Sequence, residues 1–331
     1  MQHFRAYRAH SDNGKITSRF DTLDLDSLSP GDVVLRVAFS DINYKDALAA
    51  TGAGKIMKRL PMVVGIDVAG HVHSSRDPRF KEGDPVVVVG CGLGEEHDGG
   101  YAEYARVPGD WIVRLPNAMS LRDTMALGTA GFTAGMAVQR MEDNGQHPDH
   151  GPILVTGATG GVGSLAVSML ASLGYHVAAF TSKETSRQFL EQIGATEIVL
   201  RNETDLGQRP LEKALWGGAI DNVGGDILTW LTRTVKPLGN IAAIGLAASP
   251  KLNTTVMPFI LRGINLLGIN STYCPGPLRE RVWARLASDL RPQHLAEIAH
   301  REIAFDELPG AFDDYIAGTI TGRTVVRIET G

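Results

Sequence analysis

The sequence predicts an α/β protein in two parts, a small β-rich unit followed by a doubly wound parallel sheet. Two observations carry this prediction. Up to about residue 120, short alternating or apolar runs such as "GDVVLRVAFS" and "GDPVVVVG" are separated by Gly and Pro, which is typical of strands in a β-rich unit. From about residue 122 the pattern changes to strand, helix, strand, helix, which indicates βαβ units.

Composition limits the class of protein. At 331 residues the chain is long for one core, so two domains are expected. The net charge of -5 lacks the basic excess that a nucleic-acid partner requires. Two cysteines, Cys91 and Cys274, are too few for a disulfide scaffold and fit a reducing compartment. Because no apolar run approaches the ~20 residues of a membrane span and the N-terminus does not resemble a signal peptide, the sequence predicts a cytoplasmic protein without membrane partners.

The elements of the second part follow from its apolar periodicity. Strands are expected at "PILVTG", "HVAAFT", "TEIVL", "GAIDNVGG" and "IAAIGL". Helices are expected up to Leu173 and around "SRQFLEQIG". After about residue 270 a helix, "LRERVWARLASDL", and a final strand, "GRTVVRIE", are expected to return to the first unit.

A glycine-rich turn between strand and helix is the strongest single motif. In "ILVTGATGGVGSLAVSML" the dinucleotide fingerprint G-x-G-x-x-G is read as Ala158, Gly160 and Gly163, so alanine replaces the first glycine. The strand before it and the helix and strand after it are the context that this motif needs. The sequence therefore predicts a Rossmann-type sheet whose helix N-terminus binds a pyrophosphate.

The end of the next strand selects the dinucleotide. An acidic residue there would bind the ribose hydroxyls of NAD, whereas this chain has Thr181, Ser182 and Lys183, with Arg187 soon after. Hydroxyl groups and cations suit a 2′-phosphate, so NADPH is favoured. Glu184 keeps the alternative open, because NAD would be preferred if its carboxylate, and not Ser182, occupied the ribose position.

Several separated segments resemble one family. "INYKDALAATGAGKI", "PMVVGIDVAG", "DPRFKEGDPV", "GTAGFTA", "VTGATGGVGS", "TTVMPFILRG" and "GRTVV" are similar, in this order, to the medium-chain dehydrogenase/reductase superfamily, and within its zinc-free quinone-oxidoreductase-like group to the acrylyl-CoA reductase branch. The resemblance implies a GroES-like catalytic domain in residues 1–122, a Rossmann NADP(H)-binding domain in 123–272 and a returning segment in 273–331. It also implies a homodimer.

The activity that the resemblance implies is reduction of an activated carbon–carbon double bond by NADPH, with acrylyl-CoA as the leading substrate. Two alternatives remain open, a quinone or general enone reductase and a non-catalytic NADPH-binding protein. An enolate would need hydrogen-bond donors and then a proton, for which Asn43, Tyr44 and Lys45 are the candidates. Cofactor contact is favoured over acid catalysis for Tyr44. Asp46 is expected to fix Lys45 or to face water, and Asp67 to orient neighbouring backbone.

The fingerprint turn and helix start supply further cofactor contacts at Thr159, Gly160, Gly161, Val162 and Gly163. Others follow from the resemblance alone, and they are Thr129, Thr133, Leu246, Asn270, Ser271 and Arg323. The segments that correspond to the catalytic zinc ligands of alcohol dehydrogenases contain Asn43, Tyr44, Ile66 and Asp67 and there is no cysteine cluster, so no metal is predicted.

Coenzyme A would need a basic rim for its phosphates. Lys55, Lys58, Arg59, Arg279 and Arg281 are the candidates, although each could be an ordinary solvated charge. The loop "GCGLGEEHDGG" departs from the branch, which usually has tryptophans where Cys91 and Asp98 stand. Because this loop borders the substrate side, a shifted acyl preference is expected.

Overall fold

The computed structural model describes residues 3–329. The strands are β1 (His3–Asp12), β2 (Lys15–Asp24), β3 (Val33–Asp41), β4 (Met62–Val63), β5 (Asp67–Ser75), β6 (Pro85–Val89), β7 (Tyr104–Val107), β8 (Val113–Arg114), β9 (Ile153–Thr156), β10 (Val177–Thr181), β11 (Glu197–Leu200), β12 (Trp216–Asp221), β13 (Val235–Ala243), β14 (Asn265–Gly268), β15 (Arg301–Ala304) and β16 (Thr324–Arg327). The helices are α1 (Tyr44–Thr51), α2 (Leu121–Asp143), α3 (Gly161–Ser172), α4 (Arg187–Gln192), α5 (Gly225–Thr234), α6 (Met257–Arg262), α7 (Gly276–Leu286), α8 (Leu295–Ile298) and α9 (Leu308–Ile316). Within residues 3–329, no helix has the length and apolarity needed to cross a bilayer.

The first compact unit is rich in β-structure. It contains the described chain up to Thr129, then Ser271–Trp283, and the described chain from Ala299 onward. Its larger sheet has the order β15-β16-β3-β5-β6-β8, with β7 also paired to β3, and a smaller sheet has the order β2-β1-β4. Alternate Val and Leu side chains of β3, β5 and β6 are buried in its core, which is the pattern that the sequence predicted for a β-rich unit.

The second unit is a doubly wound parallel sheet. It comprises Ala130–Asn270 and Ala284–Ile298. Its strand order is β11-β10-β9-β12-β13-β14, and each neighbouring pair is parallel. The chain therefore reverses its direction of travel across the sheet between β9 and β12, and in such sheets ligands bind outside the carboxyl ends of the strands at this point.

Helix α3 forms for the reasons that its sequence indicates. Leu165, Ala166 and Met169 recur at helical spacing and are fully buried. Gly174 has a φ of 82°, a left-handed conformation that glycine adopts without strain, and it follows the end of the helix. The strand, helix and strand of β9, α3 and β10 therefore match the predicted nucleotide-binding context.

The unit boundaries differ from the expected ones. Residues 284–298 belong to the second unit, although the sequence assigned the whole segment 273–331 to the first. Arg285 explains the difference, because its guanidinium is paired with Glu142 of α2 and donates to Gln139 Oε1 at 3.1 Å. Helix α8 also packs on α3. The first boundary lies after Thr129 and not at 122, because α2 is interrupted at Gly128.

Candidate active site

The turn after β9 brings two backbone segments into close contact. A Cβ atom on Gly163 would lie 2.2 Å from Gly157 O, so only glycine fits at the position that the fingerprint reserves for close packing. Gly157 itself has a φ of 58°, which also favours glycine. Ala158 is fully buried, and its N–H donates to Phe180 O at 3.3 Å. The fold therefore accommodates alanine at the first fingerprint position.

A cavity of about 430 Å³ opens beside this turn within the second unit. Thr159, Thr181 and Ser182, which the sequence selected, line it. Arg201 and Lys251 also line it and are exposed, and sequence reasoning missed both because they follow other strands of the sheet. The cavity thus presents hydroxyl groups and two cations beside a glycine-rich helix start, which is a suitable combination for a phosphate-bearing dinucleotide.

Asp221, at the end of β12, stabilises the region of the turn after β9 through hydrogen bonds. Sequence reasoning did not single it out. Its carboxylate accepts from Thr156 Oγ1 at 2.7 Å and from Gly224 N at 2.8 Å. Asn222 completes the link, because its Nδ2 donates to Thr156 O at 2.8 Å. Burial raises the pKa of Asp221, and the hydrogen bonds from Thr156 and the backbone oppose this. These bonds join the carboxyl ends of β9 and β12.

Other predicted cofactor residues are distributed over both units. Lys183 and Arg187 follow β10; burial lowers the pKa of Lys183, and Arg187 lies 4.0 Å from Glu191. Thr133 is buried in α2, whereas Leu246 is 65% exposed. The remaining positions are Gly160, Gly161 and Val162 at the start of α3, Asn270 at the end of the second unit and Ser271 at the start of a first-unit segment.

In the first unit, Asn43 and Asp46 form a capping box at the start of α1. The Asn43 N–H donates to Asp46 Oδ2 at 2.8 Å, and the Ile66 N–H donates to Asp46 Oδ1 at 2.9 Å. Asp46 is therefore buried and engaged with backbone, and the expectation that it fixes Lys45 or faces water is wrong. The pattern Asn-x-x-Asp before a helix is the sequence signal that could have shown this.

Asp67 binds the start of the second half of α2. Its Oδ2 accepts from the Thr129 N–H at 2.7 Å and its Oδ1 from Thr129 Oγ1 at 2.5 Å. Asn43 Nδ2 also donates to Asp67 Oδ2, at 2.8 Å, and to Asp41 Oδ1, at 2.7 Å. Asp67 thus binds neighbouring backbone, as the sequence suggested, and also accepts from the side chains of Thr129 and Asn43.

Arg323 lies in the same buried cluster and is only 2% exposed. Its Nη2 is 2.7 Å from Asp41 Oδ2, and its Nη1 donates to Asn43 Oδ1 at 3.1 Å and to Ile42 O at 3.2 Å. The guanidinium is therefore engaged by protein groups, although the resemblance implied a direct cofactor contact. We call Asp41, Asn43, Asp46, Asp67, Thr129 and Arg323 the Asp67 network.

The charges of the Asp67 network perturb its carboxyl groups. Burial raises the pKa of Asp41 well above its usual range; the Arg323 guanidinium opposes this, and the nearby Asp67 and Asp46 add to it. Burial also raises the pKa of Asp46 to about 7, with the charge of Asp67 as the second cause and hydrogen bonds from Asn43 and Ile66 opposing. The carboxyl group of Asp46 is therefore partly protonated near neutral pH.

Three cations of the first unit, Lys45, Lys58 and Arg59, are paired with one acidic loop. Lys45 Nζ lies 2.9 Å from Glu95 Oε1, and Lys58 Nζ lies 2.6 Å from Glu96 Oε1. The expected basic rim is thus partly neutralised by "GEEHD", the loop in which the sequence departs from the branch. Two other rim candidates are similarly engaged: Arg59 lies 3.1 Å from Asp98, and the buried Arg279 donates to Val89 O.

Comparison with known proteins decides the family. The model of the alcohol dehydrogenase GroES-like domain matches residues 29–117, and the model described as zinc-binding dehydrogenase matches residues 161–288. The chain is 46% identical to "Probable acrylyl-CoA reductase AcuI" of Escherichia coli, over 96% of this chain and 97% of that protein. The chain belongs to the medium-chain dehydrogenase/reductase superfamily. The predicted family and fold class are confirmed.

Two further relatives place the chain within the medium-chain dehydrogenase/reductase superfamily. It is 45% identical to "Acrylyl-CoA reductase AcuI" of Ruegeria pomeroyi, over 96% of both chains. It is also 45% identical to "Putative quinone oxidoreductase YhfP" of Bacillus subtilis, over 98% of this chain and 99% of that protein. The acrylyl-CoA reductase branch that the sequence indicated is therefore supported at nearly full length.

Solved structures of the medium-chain dehydrogenase/reductase superfamily agree over the whole chain. The yhdH oxidoreductase from Salmonella enterica, solved in complex with NADP, is 46% identical and has a TM-score of 0.95, with 98% of this chain and 100% of that chain covered. Bacillus subtilis protein yhfP, solved with NAD bound, is 45% identical and has a TM-score of 0.96, with 99% and 100% covered. Both dinucleotides are thus found among close structural relatives.

Zinc distinguishes branches of the medium-chain dehydrogenase/reductase superfamily. The segment that corresponds to a zinc-ligating segment of alcohol dehydrogenases contains Asn43 and Tyr44, and the Asn43 amide is engaged by Asp41 and Asp67. Between residues 3 and 329 no three His, Cys, Asp or Glu side chains are arranged to hold a metal ion. The absence of a metal from the working enzyme stays a prediction.

Proposed function

We propose that the protein is an NADPH-dependent reductase of the activated carbon–carbon double bond of a short enoyl-CoA, with acrylyl-CoA converted to propionyl-CoA. The observation that carries this proposal is the identity of 45–46% over 96% of the chain to two proteins named for acrylyl-CoA reduction. The turn of Gly157 and Gly163 supports the dinucleotide part of the proposal, because Gly163 packs directly against Gly157 O, as the dinucleotide fingerprint requires of its last glycine.

The first unit would stabilise the substrate after reduction begins. Bound NADPH supplies a hydride, which adds to the β-carbon of the enoyl thioester and leaves negative charge on the thioester oxygen. Tyr44 is 49% exposed at the start of α1, so its hydroxyl is available to the cofactor or the substrate. Asn43 fixes the position of this helix start through the Asp67 network. Lys45 adds positive charge next to Tyr44, and the carboxylate of Glu95 partly offsets this charge.

The deciding experiment is a steady-state assay of acrylyl-CoA with NADPH and with NADH. We expect turnover with NADPH and a lower kcat/KM with NADH. The absence of NADPH oxidation with acrylyl-CoA, together with turnover of a soluble quinone, would instead establish the alternative of a quinone reductase. That alternative is favoured by the name of the Bacillus subtilis relative and by the pairing of Lys45 and Lys58 with acids, which leaves less positive charge for coenzyme A.

Preference for NADPH is proposed to depend on Arg201 and Lys251 as well as on Ser182. Both cations line the cavity, which also contains the carboxylate of Asp226. Arg201→Ala or Lys251→Ala should weaken NADPH binding about tenfold and NADH binding much less, because a charge-assisted bond to a phosphate is worth roughly 1.5–3 kcal/mol. Fluorescence titration of each dinucleotide measures this ratio.

Arg209→Ala is the matched control for the cofactor experiment. Arg209 is an exposed arginine of the same unit, pairs with Glu212 at 2.6 Å and does not line this cavity. Its replacement should leave both dissociation constants unchanged. Equal losses of NADPH and NADH affinity in the Arg201 and Lys251 variants would show that these cations do not recognise the 2′-phosphate.

A homodimer is proposed from the exposed edge of the second unit. Strand β14 is the last strand of the sheet, so one of its sides offers unpaired backbone groups. Val256, Ile260 and Leu261 in and next to the preceding helix α6 are 67%, 72% and 62% exposed. Light scattering after gel filtration should give the mass of two chains, and Ile260→Glu should shift it toward one. A wild-type mass of one chain would contradict the proposal.

A further inference from the structure

The two cysteines of the chain, Cys91 and Cys274, both belong to the first unit, and we call them the cysteine pair. Cys91 follows β6 and Cys274 precedes α7. Both are free thiols and are partly buried. Cys91 stands where the acrylyl-CoA reductase branch usually has tryptophan. The proposed function therefore leaves two nucleophilic groups without a role.

The backbone next to Cys91 contacts the backbone next to Cys274. The Cys91 N–H donates to Thr272 O at 3.2 Å. A Cβ atom on Gly90 would lie 3.3 Å from Thr272 Cα, so the two chain segments touch at this point. Residues 272 and 273 form a turn, and the chain therefore does not extend away between Thr272 and Cys274. These contacts bring together two thiols that are far apart in the sequence.

Side chains join the same two segments. The Tyr273 hydroxyl donates to Glu96 Oε1 at 2.5 Å. The guanidinium of the buried Arg279 donates to Val89 O at 2.9 Å and to Ser271 O at 3.4 Å. The segments that contain the cysteine pair are therefore held next to each other by backbone and side-chain hydrogen bonds.

The two thiols share one electrostatic environment. Burial raises the pKa of Cys91; the Arg279 guanidinium opposes this, and the charge of Cys274 adds to it. Burial also raises the pKa of Cys274, and Arg279 again opposes. One cation thus favours the thiolate of either cysteine, and the thiolate is the form that reacts with oxidants.

Cys91 has a backbone conformation that few side chains adopt. Its φ is 56°, in the left-handed region, where residues other than glycine are uncommon. Its neighbours Gly90 and Gly92 also have positive φ, at 66° and 89°. A cysteine between them is unfavourable for the backbone, which points to a role of its side chain.

We propose that the cysteine pair is a modification site, at which a peroxide forms a reversible disulfide between Cys91 and Cys274. Cys274 reacts first, because its neighbours Tyr273 and Pro275 are exposed. The two Cα atoms must lie about 4.4–6.8 Å apart in the product. The exposed turn before Cys274 is the part of the chain that can adjust to this distance.

The oxidation has two steps. The Cys274 thiolate attacks one oxygen of hydrogen peroxide, so that a sulfur–oxygen bond forms as the oxygen–oxygen bond breaks, and a sulfenic acid and water result. The Cys91 thiolate then attacks this sulfur, and the sulfur–sulfur bond forms as the sulfur–oxygen bond breaks and a second water leaves. The two thiols lose two electrons and two protons, which reduce the peroxide to water. Dithiothreitol reverses the step by thiol–disulfide exchange.

The first test is peptide mapping of the full-length protein after treatment with hydrogen peroxide, alkylation and digestion without reduction. In wild type, the peptide of Cys91 should be joined to that of Cys274, and dithiothreitol should separate them. Cys91→Ser and Cys274→Ser should show no link, and peroxide should add oxygen to the remaining thiol. Wild type in which both thiols stay alkylatable, gain oxygen separately or link only between two chains would overturn the proposal.

The second test needs no oxidant. Dibromobimane becomes fluorescent when it alkylates two neighbouring thiols, so it should label wild type and neither serine variant. Cys274→Ser combined with Ser74→Cys is the matched control, since it restores a second thiol at a distant place. Ser74 is exposed and lies seven residues along β5 from Asp67, which pairs with Val89, so it is roughly 23 Å from that end of the strand.

The control variant should take up two equivalents of a simple maleimide and give no bimane fluorescence. Wild type that reacts with two equivalents of maleimide but gives no bimane fluorescence would show that the thiols are too far apart, and the proposal would be refuted. Neither test requires a substrate. A failure of the cysteine pair therefore leaves the proposed reductase function untouched, and a failure of that function leaves the disulfide to be judged by its own result.

Discussion

Gly128→Ala should destabilise the first unit by about 3 kcal/mol or more. Gly128 has φ 51° and ψ -156°, a conformation that is accessible essentially to glycine alone and costs other residues roughly 1–3 kcal/mol. A Cβ atom there would also lie 1.8 Å from Asp41 Oδ2 and 2.8 Å from Arg323 Nη2. Overpacking of this kind adds roughly 1–3 kcal/mol. Thermal unfolding should show the midpoint lower by roughly 6–12 °C.

Gly310→Ala is the matched control for Gly128→Ala. Gly310 lies in α9 of the same unit, and a Cβ atom on it would have no neighbour within 4 Å. Alanine is a better helix former by about 1 kcal/mol, so this variant should unfold at the same or a slightly higher temperature. Unchanged unfolding of Gly128→Ala would show that the network yields to an added methyl group and does not fix the break in α2.

The close approach at Gly128 also explains how the fold places Thr129. Because the chain leaves helical geometry at one residue, the N–H and hydroxyl of Thr129 both face Asp67. A straight helix would direct that N–H toward the carbonyl four residues earlier. The same glycine therefore interrupts α2 and allows the Asp67 network to form.

The fold could be predicted from the sequence because its signals are local. The apolar spacing of β9, α3 and β10 predicts their alternation. Gly163 is also a local signal, because Gly157, the residue against which it packs, is only six positions away. The segment 284–298 could not be assigned in this way. Its attachment to the second unit depends on the pairing of Arg285 with Glu142, which are far apart in the sequence.

The candidate site was predictable residue by residue but not as a cluster. Asn43, Thr129 and Arg323 were each selected by family resemblance, yet their connection through Asp41 and Asp67 joins segments as far apart in the sequence as Asp41 and Arg323. Arg201 and Lys251 were missed for the same reason, since they line the cavity beside the glycine-rich turn from outside the fingerprint. Local patterns identify residue types, whereas the sheet topology decides which of them meet.

The second large effect is expected in the pH dependence of stability, and Asp46 causes it. An unfolded aspartate has a pKa of about 3.9, and burial raises the pKa of Asp46 to about 7 in the folded protein. The folded state therefore binds more protons between these values, and the stabilisation present below about pH 4 is lost as the pH rises through about 7. The free energy of unfolding of Asp46→Asn, taken relative to that of wild type, should rise by on the order of 4 kcal/mol between about pH 4 and pH 8.

Asp46→Asn should also change the free energy of unfolding by an amount that does not depend on pH, and this amount can be measured separately. An amide can accept from only one of the Asn43 and Ile66 N–H groups, so the variant should be less stable than wild type at low pH. Denaturant unfolding at each pH, with wild type and variant side by side, gives the difference directly. A difference that is constant from about pH 4 to pH 8 would contradict the raised pKa.

Asp98→Asn provides a control of opposite sign in the same unit. Burial disfavours the Asp98 carboxylate, but hydrogen bonds from Ser29 and from the Val63 N–H, together with Arg59, outweigh burial and lower its pKa. Its stabilisation is therefore present above the unfolded pKa and is lost as the pH falls. Above about pH 5 the free energy of unfolding of Asp98→Asn should be lower than that of wild type by a constant amount. Over the same range the difference between Asp46→Asn and wild type should continue to change with pH. Parallel curves for the two variants would contradict the raised pKa of Asp46.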